Sequence, residues 1–444
     1  MRRRARRHAA HPGQRRGTER NAGRRQGLTR PRPRTHPGRQ CRDEPSDIPT
    51  RSSFVQHPPW PRQSFSFALF FFAYYGYIGI FSPYASLYFA NKGMTAAQIG
   101  ILMSLMQVMR IFGPNLWGWV ADRHQQRVTV LRLTAAAATA CFCGMFFGAT
   151  FAWFFAVMIA VNLFTSAQGP LSEALMLSEM RGDLTHYGRL RLWGSVGFIV
   201  TATFGGPVLD RLGVNSLPWM TLALLALVLV AALRMEETVH PATHQAAPSV
   251  FALLRRREVI AFFCSTFLMI AAHASLYVFY SLYLARIGYS NTLIGFMWSL
   301  GVIVEIVFFY YQAPLFRRFG VRRLMLASLL IAVARFLLIG FGAESLLLLL
   351  IAQVMHAATF GVHHSASVVT LQRWFAGPLQ ASGQALYTSI SYGLGGTLGG
   401  LILGVFWETF GPQTVYLLAA AFSLAGAGAA TLSYRWLLNN KEKK

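Results

Sequence analysis

Two stretches of the chain repeat each other, and they decide its architecture. Residues 86–127 read SLYFANKGMTAAQIGILMSLMQVMRIFGPNLWGWVADRHQQR, and residues 281–322 read SLYLARIGYSNTLIGFMWSLGVIVEIVFFYYQAPLFRRFGVR. A constant offset of 195 residues aligns them without a gap, with identities at Ser86/Ser281, Leu87/Leu282, Tyr88/Tyr283, Gly93/Gly288, Ile99/Ile294, Gly100/Gly295 and Arg127/Arg322. Self-similarity at so long a period indicates duplication of a domain-sized unit. The same register pairs Arg110 with Glu305, two charges inside apolar stretches.

The composition is that of a polytopic membrane protein. Of the 444 residues, 54% are hydrophobic and only 13% are charged, whereas soluble domains contain about 25% charged residues. Apolar segments long enough to span a bilayer, at about 20 residues each, follow one another along the chain. They lie at 65–90, 97–120, 128–148, 152–178, 190–209, 215–234, 258–285, 292–314, 321–342, 345–372, 380–405 and 411–436. We therefore predict an all-α membrane protein of twelve transmembrane helices.

The predicted helices fall into two pseudo-symmetric halves of six, at 63–234 and 258–437, joined by a connector at 235–257 and followed by a basic tail at 438–444. Residues 1–62 differ from the rest, because they contain 17 arginines, no lysine and almost no apolar run. Such a segment cannot bury a core and is predicted to be disordered. Arginine without lysine is also typical of GC-rich DNA upstream of a gene when it is translated in frame. The native start is then expected to be a non-Met codon, with Val55 as one candidate.

The arginines indicate the orientation. The loops on one side of the predicted helices, called here the arginine-rich face, carry most of them: Arg123, Arg127, Arg132, Arg181, Arg189, Arg234, Arg255, Arg256, Arg257, Arg317, Arg318, Arg322, Arg323, Arg373 and Arg435. The loops on the other side, the arginine-poor face, carry little beyond Lys92, Arg211 and Arg286. The positive-inside rule places both termini and the connector in the cytoplasm. Six spans per half give both repeats the same topology, which is the arrangement of major facilitator transporters, with the substrate site near the midplane.

A loop motif agrees with this topology. Gly118, Asp122, Arg123 and Arg127 form a pattern that resembles the major facilitator signature G-x-x-x-D-R/K-x-x-x-R/K after helix 2. In physical terms it supplies a glycine for close helix approach, an acid that accepts hydrogen bonds from a neighbouring helix end, and basic residues for the cytoplasmic face. The second copy, at 316–323, lacks the acid, so a weaker gate is expected there.

Ionisable residues inside the predicted spans are the main functional candidates. Each costs about 2.5–3.5 kcal/mol to insert, so it usually faces the interior and has a partner. Arg110 and Glu305 are expected at equivalent heights on opposite walls of one cavity, with the structural alternative that they merely pair and hold helices together. The further candidates at similar depth are Arg335, His356, His273 and His364. For a lone histidine in an apolar helix, the alternative is a neutral core residue bonded to a backbone carbonyl.

Two segments carry a closer resemblance. Residues 186–198, HYGRLRLWGSVGF, and 295–305, GFMWSLGVIVE, look like the corresponding segments of bacterial 3-phenylpropionic acid transporters, which belong to a wider group that includes the galactoside:proton symporter. The resemblance covers about residues 65–436. It implies that Glu173 and Arg191 occupy the positions of sugar-binding residues.

The same resemblance implies that Arg335 and His356 occupy positions tied to proton coupling, and that Asp122 matches the loop acid. Two departures from the galactoside pattern, Val302 and Thr359, stand where it has glutamates, which argues against lactose. Arg110, Glu305 and His364 instead match the phenylpropionate pattern.

The chemistry can also be built from the residues. Desolvation favours a neutral carboxyl group and a nearby guanidinium favours a charged one, so Glu305 near Arg335 can change protonation as the cavity opens and closes. His356 is the second candidate, because imidazole titrates near neutral pH. An anionic aromatic acid suits Arg110 or Arg191, since guanidinium binds carboxylate bidentately. A wall of aromatic residues can stack on its ring: Tyr74, Tyr75, Tyr77, Tyr277, Tyr280 and Trp298.

We therefore predict a proton-coupled transporter in a bacterial inner membrane that imports a small organic acid, with the proton as coupling ion and no other cofactor or metal. Symport of a sugar or nucleoside is the alternative, and drug:proton antiport a weaker one, because the first half has only Glu173 as an acid candidate. The sequence shows no phosphate loop and no nucleophile motif, so an enzyme is not predicted. The expected partners are the substrate and the bilayer, with no nucleic acid, and a monomer is expected.

Overall fold

The computed structural model describes residues 63–180, 183–237 and 250–442. Within these ranges, eleven helices are long and apolar enough to cross a membrane. One of them, Asn291–Gly342, has 52 residues and would measure about 78 Å at 1.5 Å per residue, far more than the hydrocarbon core of about 30 Å. Non-helical backbone at Gly320, with φ 73° and ψ 159°, divides it in two. The described part of the chain therefore has twelve spans, as predicted.

The spans are numbered α1 to α12. The first six are α1 Ser64–Asn91, α2 Ala96–His124, α3 Arg127–Phe142 with a 3-10 turn at Cys143–Phe146, α4 Phe151–Glu179, α5 Leu184–Leu212 and α6 Leu217–Leu233. The others are α7 Arg257–Arg286, α8 at 291–319, α9 at 321–342, α10 Leu346–Trp374, α11 Gln380–Phe410 and α12 Pro412–Glu442. A short helix, Phe251–Leu254, precedes α7. The largest difference from prediction is six residues. It occurs at the start of α5, which is predicted at 190 and lies at 184, and at the end of α12, which is predicted at 436 and lies at 442.

The predicted arginine-rich tail, residues 238–249 of the connector and residues 443–444 lie outside the described residues. The division into tail, halves and connector therefore stays a prediction.

Side-chain caps fix the starts of the two repeated helices. Thr95 accepts a hydrogen bond from the Gln98 backbone N–H at 3.2 Å, and the Gln98 side chain accepts one from the Thr95 N–H at 3.0 Å. This capping box satisfies two of the donors that a helix N-terminus leaves unpaired. Ser290, 195 residues later, caps α8 by accepting from the Leu293 N–H at 3.2 Å. The sequence repeat is therefore also a repeat of local structure.

Three spans of the second half contain π-helical turns near their middle. They are Ser275–Tyr280 in α7, Ala357–Val362 in α10 and Thr388–Gly395 in α11. Within the described residues of α1 to α6 there is no such turn. A π turn widens the helix and is frequent at functional sites, and Tyr277, Phe360 and Tyr392 from these turns all line a cavity between the halves.

The two halves touch closely through small residues near the arginine-poor face. A β-carbon added to Gly100 of α2 would lie 2.9 Å from the Gly400 carbonyl oxygen of α11. A β-carbon on Gly295 of α8, the residue equivalent to Gly100, would overlap the Ala202 carbonyl oxygen of α5. Glycine therefore lets both helix pairs approach backbone to backbone. Gly396 of α11 faces Gln107 of α2, whose Cγ would lie 2.8 Å from an added β-carbon.

Arg132 of α3 ties down the end of α6. Its Nε donates to the Ala232 carbonyl at 3.3 Å, and its Nη2 donates to the carbonyls of Leu233 at 3.2 Å and Met235 at 2.6 Å. The Ala232 and Leu233 carbonyls lie in the last turn of α6, where a helix lacks intrahelical donors for its final carbonyls, and a cation is favoured at that end of the helix dipole. In return, Glu237 accepts from the Val128 N–H at 3.2 Å.

We expect Arg132→Leu to lower the free energy of unfolding by about 1–3 kcal/mol, because three carbonyls lose a charged donor. Thermal unfolding of the detergent-solubilised protein measures the effect as a lower Tm. Thr129→Ala, at an exposed position of the same helix, is the matched control. Equal Tm values for the two variants would show that water replaces the guanidinium without loss.

Candidate functional site

Two adjoining cavities lie between the halves. The α8 cavity has a volume of about 200 Å3, and its polar and aromatic walls include Gln107, Arg110, Tyr277, Trp298, Glu305, Arg335, His356 and Tyr392. The α4 cavity has a volume of about 270 Å3, and its walls include Tyr74, Tyr75, Tyr77, Arg110, Asn162, Thr165, Glu173 and Tyr392. Arg110 and Tyr392 belong to both, so they mark the junction of the two cavities.

Arg110 brings positive charge to this junction. Its guanidinium carbon lies 5.8 Å from the centre of the Tyr392 ring, a distance at which a cation is attracted to the aromatic face. Among the residues that the structure describes, no carboxylate pairs with it. The helix-pairing alternative for Arg110 and Glu305 therefore does not describe this conformation. Arg110 has charge available for an anionic ligand.

Glu305 lies on the wall of the same α8 cavity, as the repeat register predicts for the partner of Arg110. Its Oε2 lies 3.8 Å from Nε2 of His356. The exposed fractions of the two side chains are 15% and 14%, so both are largely removed from water while they still reach the cavity. Nδ1 of His356 is buried without a hydrogen-bond partner. Glu305 and His356 together form a site that can hold one proton between two bases.

Arg335 corrects one sequence expectation. It is 1% exposed and donates to three acceptors on α10: the Ala352 carbonyl at 2.8 Å, the Gln353 side chain at 3.1 Å and Thr359 Oγ1 at 3.1 Å. Within the described residues it makes no ion pair with Glu305, contrary to the expected proximity effect. The reason is that neutral oxygens on α10, including Thr359 Oγ1, occupy its donors.

The other two histidines differ from each other. His273 is fully buried, and its Nδ1 lies 2.9 Å from the Met269 carbonyl, which matches the structural alternative of a core histidine bonded to backbone. His364 is half-buried, and its Nδ1 lies 3.2 Å from the hydroxyl of Tyr392. Because Tyr392 lines both cavities, His364 is hydrogen-bonded to the site through this tyrosine, whereas His273 reaches the site only through ring contacts with Tyr277 and His356.

Glu173 and Arg191 are engaged with each other. Arg191 Nε donates to Glu173 Oε1 at 3.0 Å, and its Nη2 donates to the Tyr75 hydroxyl at 2.6 Å. Its guanidinium carbon also lies 4.1 Å from the centre of the Tyr75 ring. Glu173 and Tyr75 reach the α4 cavity. Of the two arginines predicted to bind a carboxylate, Arg110 is therefore the one without an acidic partner.

Aromatic residues line both cavities, as predicted. In the α8 cavity, Trp298 stacks on Tyr277 with ring centres 6.4 Å apart and an interplanar angle of 25°, and Tyr280 meets it edge-on at 6.0 Å. Its indole N–H donates to Ser281 Oγ at 3.0 Å, which fixes the ring orientation. The stack forms an aromatic part of the wall of the α8 cavity, which Glu305 and Arg110 also line.

The loop motif lies at the end of α2 and at the start of α3, outside the walls of both cavities. Gly118 does not serve the close helix approach expected of it, because a β-carbon there would meet no atom within 4 Å. Arg123 lies over the Trp119 ring at 5.3 Å. The Asp122 carbonyl accepts from the Gln125 side chain at 2.7 Å, which helps to end α2.

Sequence reasoning missed Gln107 and Tyr392. Gln107 lies one turn before Arg110 on α2, is 6% exposed, and its Oε1 is buried without a hydrogen-bond partner. The spacing of three residues from Arg110 was the available signal, because residues i and i+3 share a helix face. No comparable signal pointed to Tyr392, which lies in the π turn of α11.

Comparison with known proteins agrees with this architecture. Residues 64–418 match the model of the MFS_1 like family. The chain is 29% identical over 358 residues to the probable 3-phenylpropionic acid transporter of Escherichia coli K12, covering 79% of this chain and 93% of that protein. It is 27% identical to the maltose permease of Geobacillus stearothermophilus, covering 81% and 92%. The crystal structure of nucleoside transporter NupG superposes with a TM-score of 0.75 at 20% identity, covering 84% of this chain and 99% of that one. The chain therefore belongs to the MFS_1 like family and is a multi-pass membrane transporter with the major facilitator fold.

Proposed function

We propose that the protein is a proton-coupled symporter that imports a small aromatic monocarboxylate, such as 3-phenylpropionate, by alternating access. The observation that carries this proposal is the α8 cavity, where the unpaired cation of Arg110, an aromatic wall and the Glu305–His356 pair meet. The proposed location is a bacterial inner membrane, with the arginine-rich face in the cytoplasm and the protein acting as a monomer. The proton is the only coupling ion.

Each part of the ligand has a counterpart in the cavity. The carboxylate binds the Arg110 guanidinium, which can donate two parallel hydrogen bonds. The Gln107 amide, on the same helix face, supplies a further polar contact. The ring lies against Tyr277 and Trp298, where stacking and apolar burial both stabilise it.

Coupling follows from charge repulsion inside one cavity. An ionised Glu305 disfavours a second carboxylate in the same low-dielectric space, whereas a protonated Glu305 does not. Proton and substrate therefore increase each other's affinity, and this linkage is reciprocal. His356, at 3.8 Å from Glu305, provides the group through which the proton leaves once the substrate has gone.

The driving force distinguishes an acid from a neutral substrate. One proton moving with one monoanion carries no net charge, so uptake depends on the pH gradient. One proton moving with a sugar carries a net charge and also gains about 2.3 kcal/mol per 100 mV of membrane potential.

The test uses the full chain in proteoliposomes with radiolabelled 3-phenylpropionate. We expect an inward proton gradient to accelerate uptake well beyond that of protein-free liposomes, which measure passive entry of the neutral acid. Excess unlabelled substrate should return the rate to that baseline. A potassium diffusion potential alone should have no effect. Uptake driven by the potential but not by the pH gradient would overturn the acid:proton proposal.

Symport of a sugar or nucleoside is the second candidate, and the α4 cavity favours it. There Glu173, engaged with Arg191, lines a wall together with Asn162 and Thr165, and such groups suit a ligand with several hydroxyls. Relatives named as a maltose permease and a nucleoside transporter support the same candidate. Competition by maltose or uridine, with none by phenylpropionate, would select it.

A further inference from the structure

Asp210, near the end of α5, holds the beginning of α8 on the arginine-poor face. Its Oδ1 accepts from the backbone N–H of Asn291 at 2.9 Å and from the Asn291 side-chain amide at 2.8 Å. Its Oδ2 accepts from the backbone N–H of Thr292 at 2.9 Å and from the Thr292 hydroxyl at 2.6 Å. One carboxylate of the first half thus caps a helix of the second half with four hydrogen bonds.

Glu408, near the end of α11, makes the reciprocal contact. Its carboxylate accepts a hydrogen bond from the backbone N–H of Ala96, the first residue of α2. Ala96 and Asn291 are separated by 195 residues, since 291 − 96 = 195, so they are equivalent positions of the repeat. The two carboxylates therefore form one contact repeated by the pseudo-twofold symmetry, each from one half to the helix start of the other.

Three physical effects make both contacts stronger than an ordinary hydrogen bond at the protein surface. The first turn of a helix has N–H groups without intrahelical partners, and the helix dipole favours negative charge there. Hydrogen bonds to an ionised acceptor are stronger than neutral ones. Asp210 and Glu408 are both exposed, however, so water can replace each donor when the contact breaks. The contacts can therefore open and close without stranding a buried charge.

Other contacts between the halves lie on the same side of the cavities. The Tyr84 hydroxyl, which donates to the Ala202 carbonyl of its own half at 2.7 Å, lies 3.2 Å from the Asn291 carbonyl of the other half. The hydroxyls of Thr203 and Ser299, one from each half, lie 2.7 Å apart. The conformation is therefore closed at the arginine-poor face.

We propose that Asp210 and Glu408 form a paired latch that holds the arginine-poor face closed and must release before the cavities open there. The latch sets the population of the two access states. This proposal rests on the alternating access of the proposed function, but it does not depend on the identity of the substrate or of the coupling ion. Each carboxylate holds a different helix pair, α5 to α8 or α11 to α2, so loss of one leaves the other in place.

The test measures access to one cavity residue from each side of the membrane. The four native cysteines, Cys41, Cys141, Cys143 and Cys264, are replaced by serine. A single cysteine is then introduced by Ser82→Cys, because Ser82 lines the α8 cavity from α1 and is 9% exposed. A membrane-impermeant maleimide is applied to right-side-out and to inside-out vesicles, and the initial labelling rates are compared.

Each single variant, Asp210→Ala or Glu408→Ala, should raise labelling from the arginine-poor side. Loss of one charge–dipole contact predicts an increase of roughly 2- to 5-fold. Independent contacts multiply, so the double variant should show roughly 4- to 25-fold. Labelling from the arginine-rich side should fall at the same time, because the population moves between two states.

Glu344→Ala is the matched control, since Glu344 is an exposed acid on the arginine-poor face whose hydrogen bond in the described structure, from the Tyr289 hydroxyl to its carbonyl, lies within the second half. It should leave both rates unchanged. Unchanged rates in the double variant would overturn the latch, and so would equal increases from both sides, which would indicate loosened packing. The labelling assay contains no substrate, so failure of phenylpropionate uptake leaves its result intact.

Discussion

Arg110→Gln is expected to abolish saturable uptake of 3-phenylpropionate. Its guanidinium has no acidic partner among the described residues, so in the proposed complex it is the main positive charge facing the substrate carboxylate. Removing one member of a buried charge pair costs about 2–5 kcal/mol, which corresponds to a loss of roughly 30- to 4,000-fold in apparent affinity. Initial uptake rates over a range of substrate concentrations give the change in kcat/KM.

Two further variants make this result specific. Arg110→Lys keeps the charge but loses the bidentate geometry, so we expect an intermediate rate. Arg191→Gln removes a guanidinium that Glu173 and Tyr75 already hold, and it should affect acid uptake less than Arg110→Gln does. The reverse order, with Arg191 essential and Arg110 dispensable, would contradict the proposed site and favour the sugar or nucleoside candidate.

Glu305→Gln is expected to separate transport from proton coupling. Glutamine has nearly the shape of glutamate and is permanently neutral, like the protonated acid that the loaded transporter requires. Exchange of external labelled for internal unlabelled substrate should therefore continue. Accumulation under an imposed pH gradient should fall to an inside-to-outside ratio of about 1, because no proton can be released.

Exchange and net uptake are measured in the same proteoliposomes, so loss of folded protein would reduce both and is distinguished from loss of coupling. His356→Gln is the companion variant, because His356 lies 3.8 Å from Glu305. Full accumulation by Glu305→Gln together with its loss in His356→Gln would move the coupling proton from the carboxyl group to the imidazole.

The sequence predicted the spans well because length and apolarity alone identify them. Prediction of Arg110 and Glu305 in one cavity also succeeded, because the repeat register relates their helices by symmetry and needs no knowledge of helix rotation. Only the presence of both residues on the walls is observed, and their roles stay proposals. The partners of Arg335 and Arg191 depend on helix rotation. A helix that is apolar all round has no periodic signal that reveals it.

Gln107 and the latch were missed for different reasons. Gln107 is neutral, and a neutral side chain inside a transmembrane span is a weaker sign of function than a charged one. Only the structure shows that its Oε1 is buried without a partner. Asp210 and Glu408 lie at helix ends, where acids are ordinary surface residues. Their proposed role depends on the helix that each one caps, and that helix is distant in the sequence.

The π turns of α7 and α11 help to explain where the internal duplication can still be seen. A π turn contains one more residue than an α turn, and α7 and α11, with 30 and 31 residues, are each two residues longer than their counterparts α1 and α5, with 28 and 29. Ala96 and Asn291, in helices without such turns, are 195 residues apart, whereas the equivalent carboxylates Asp210 and Glu408 are 408 − 210 = 198 apart. An alignment of the two halves therefore needs gaps inside the membrane, next to the residues that face the cavities.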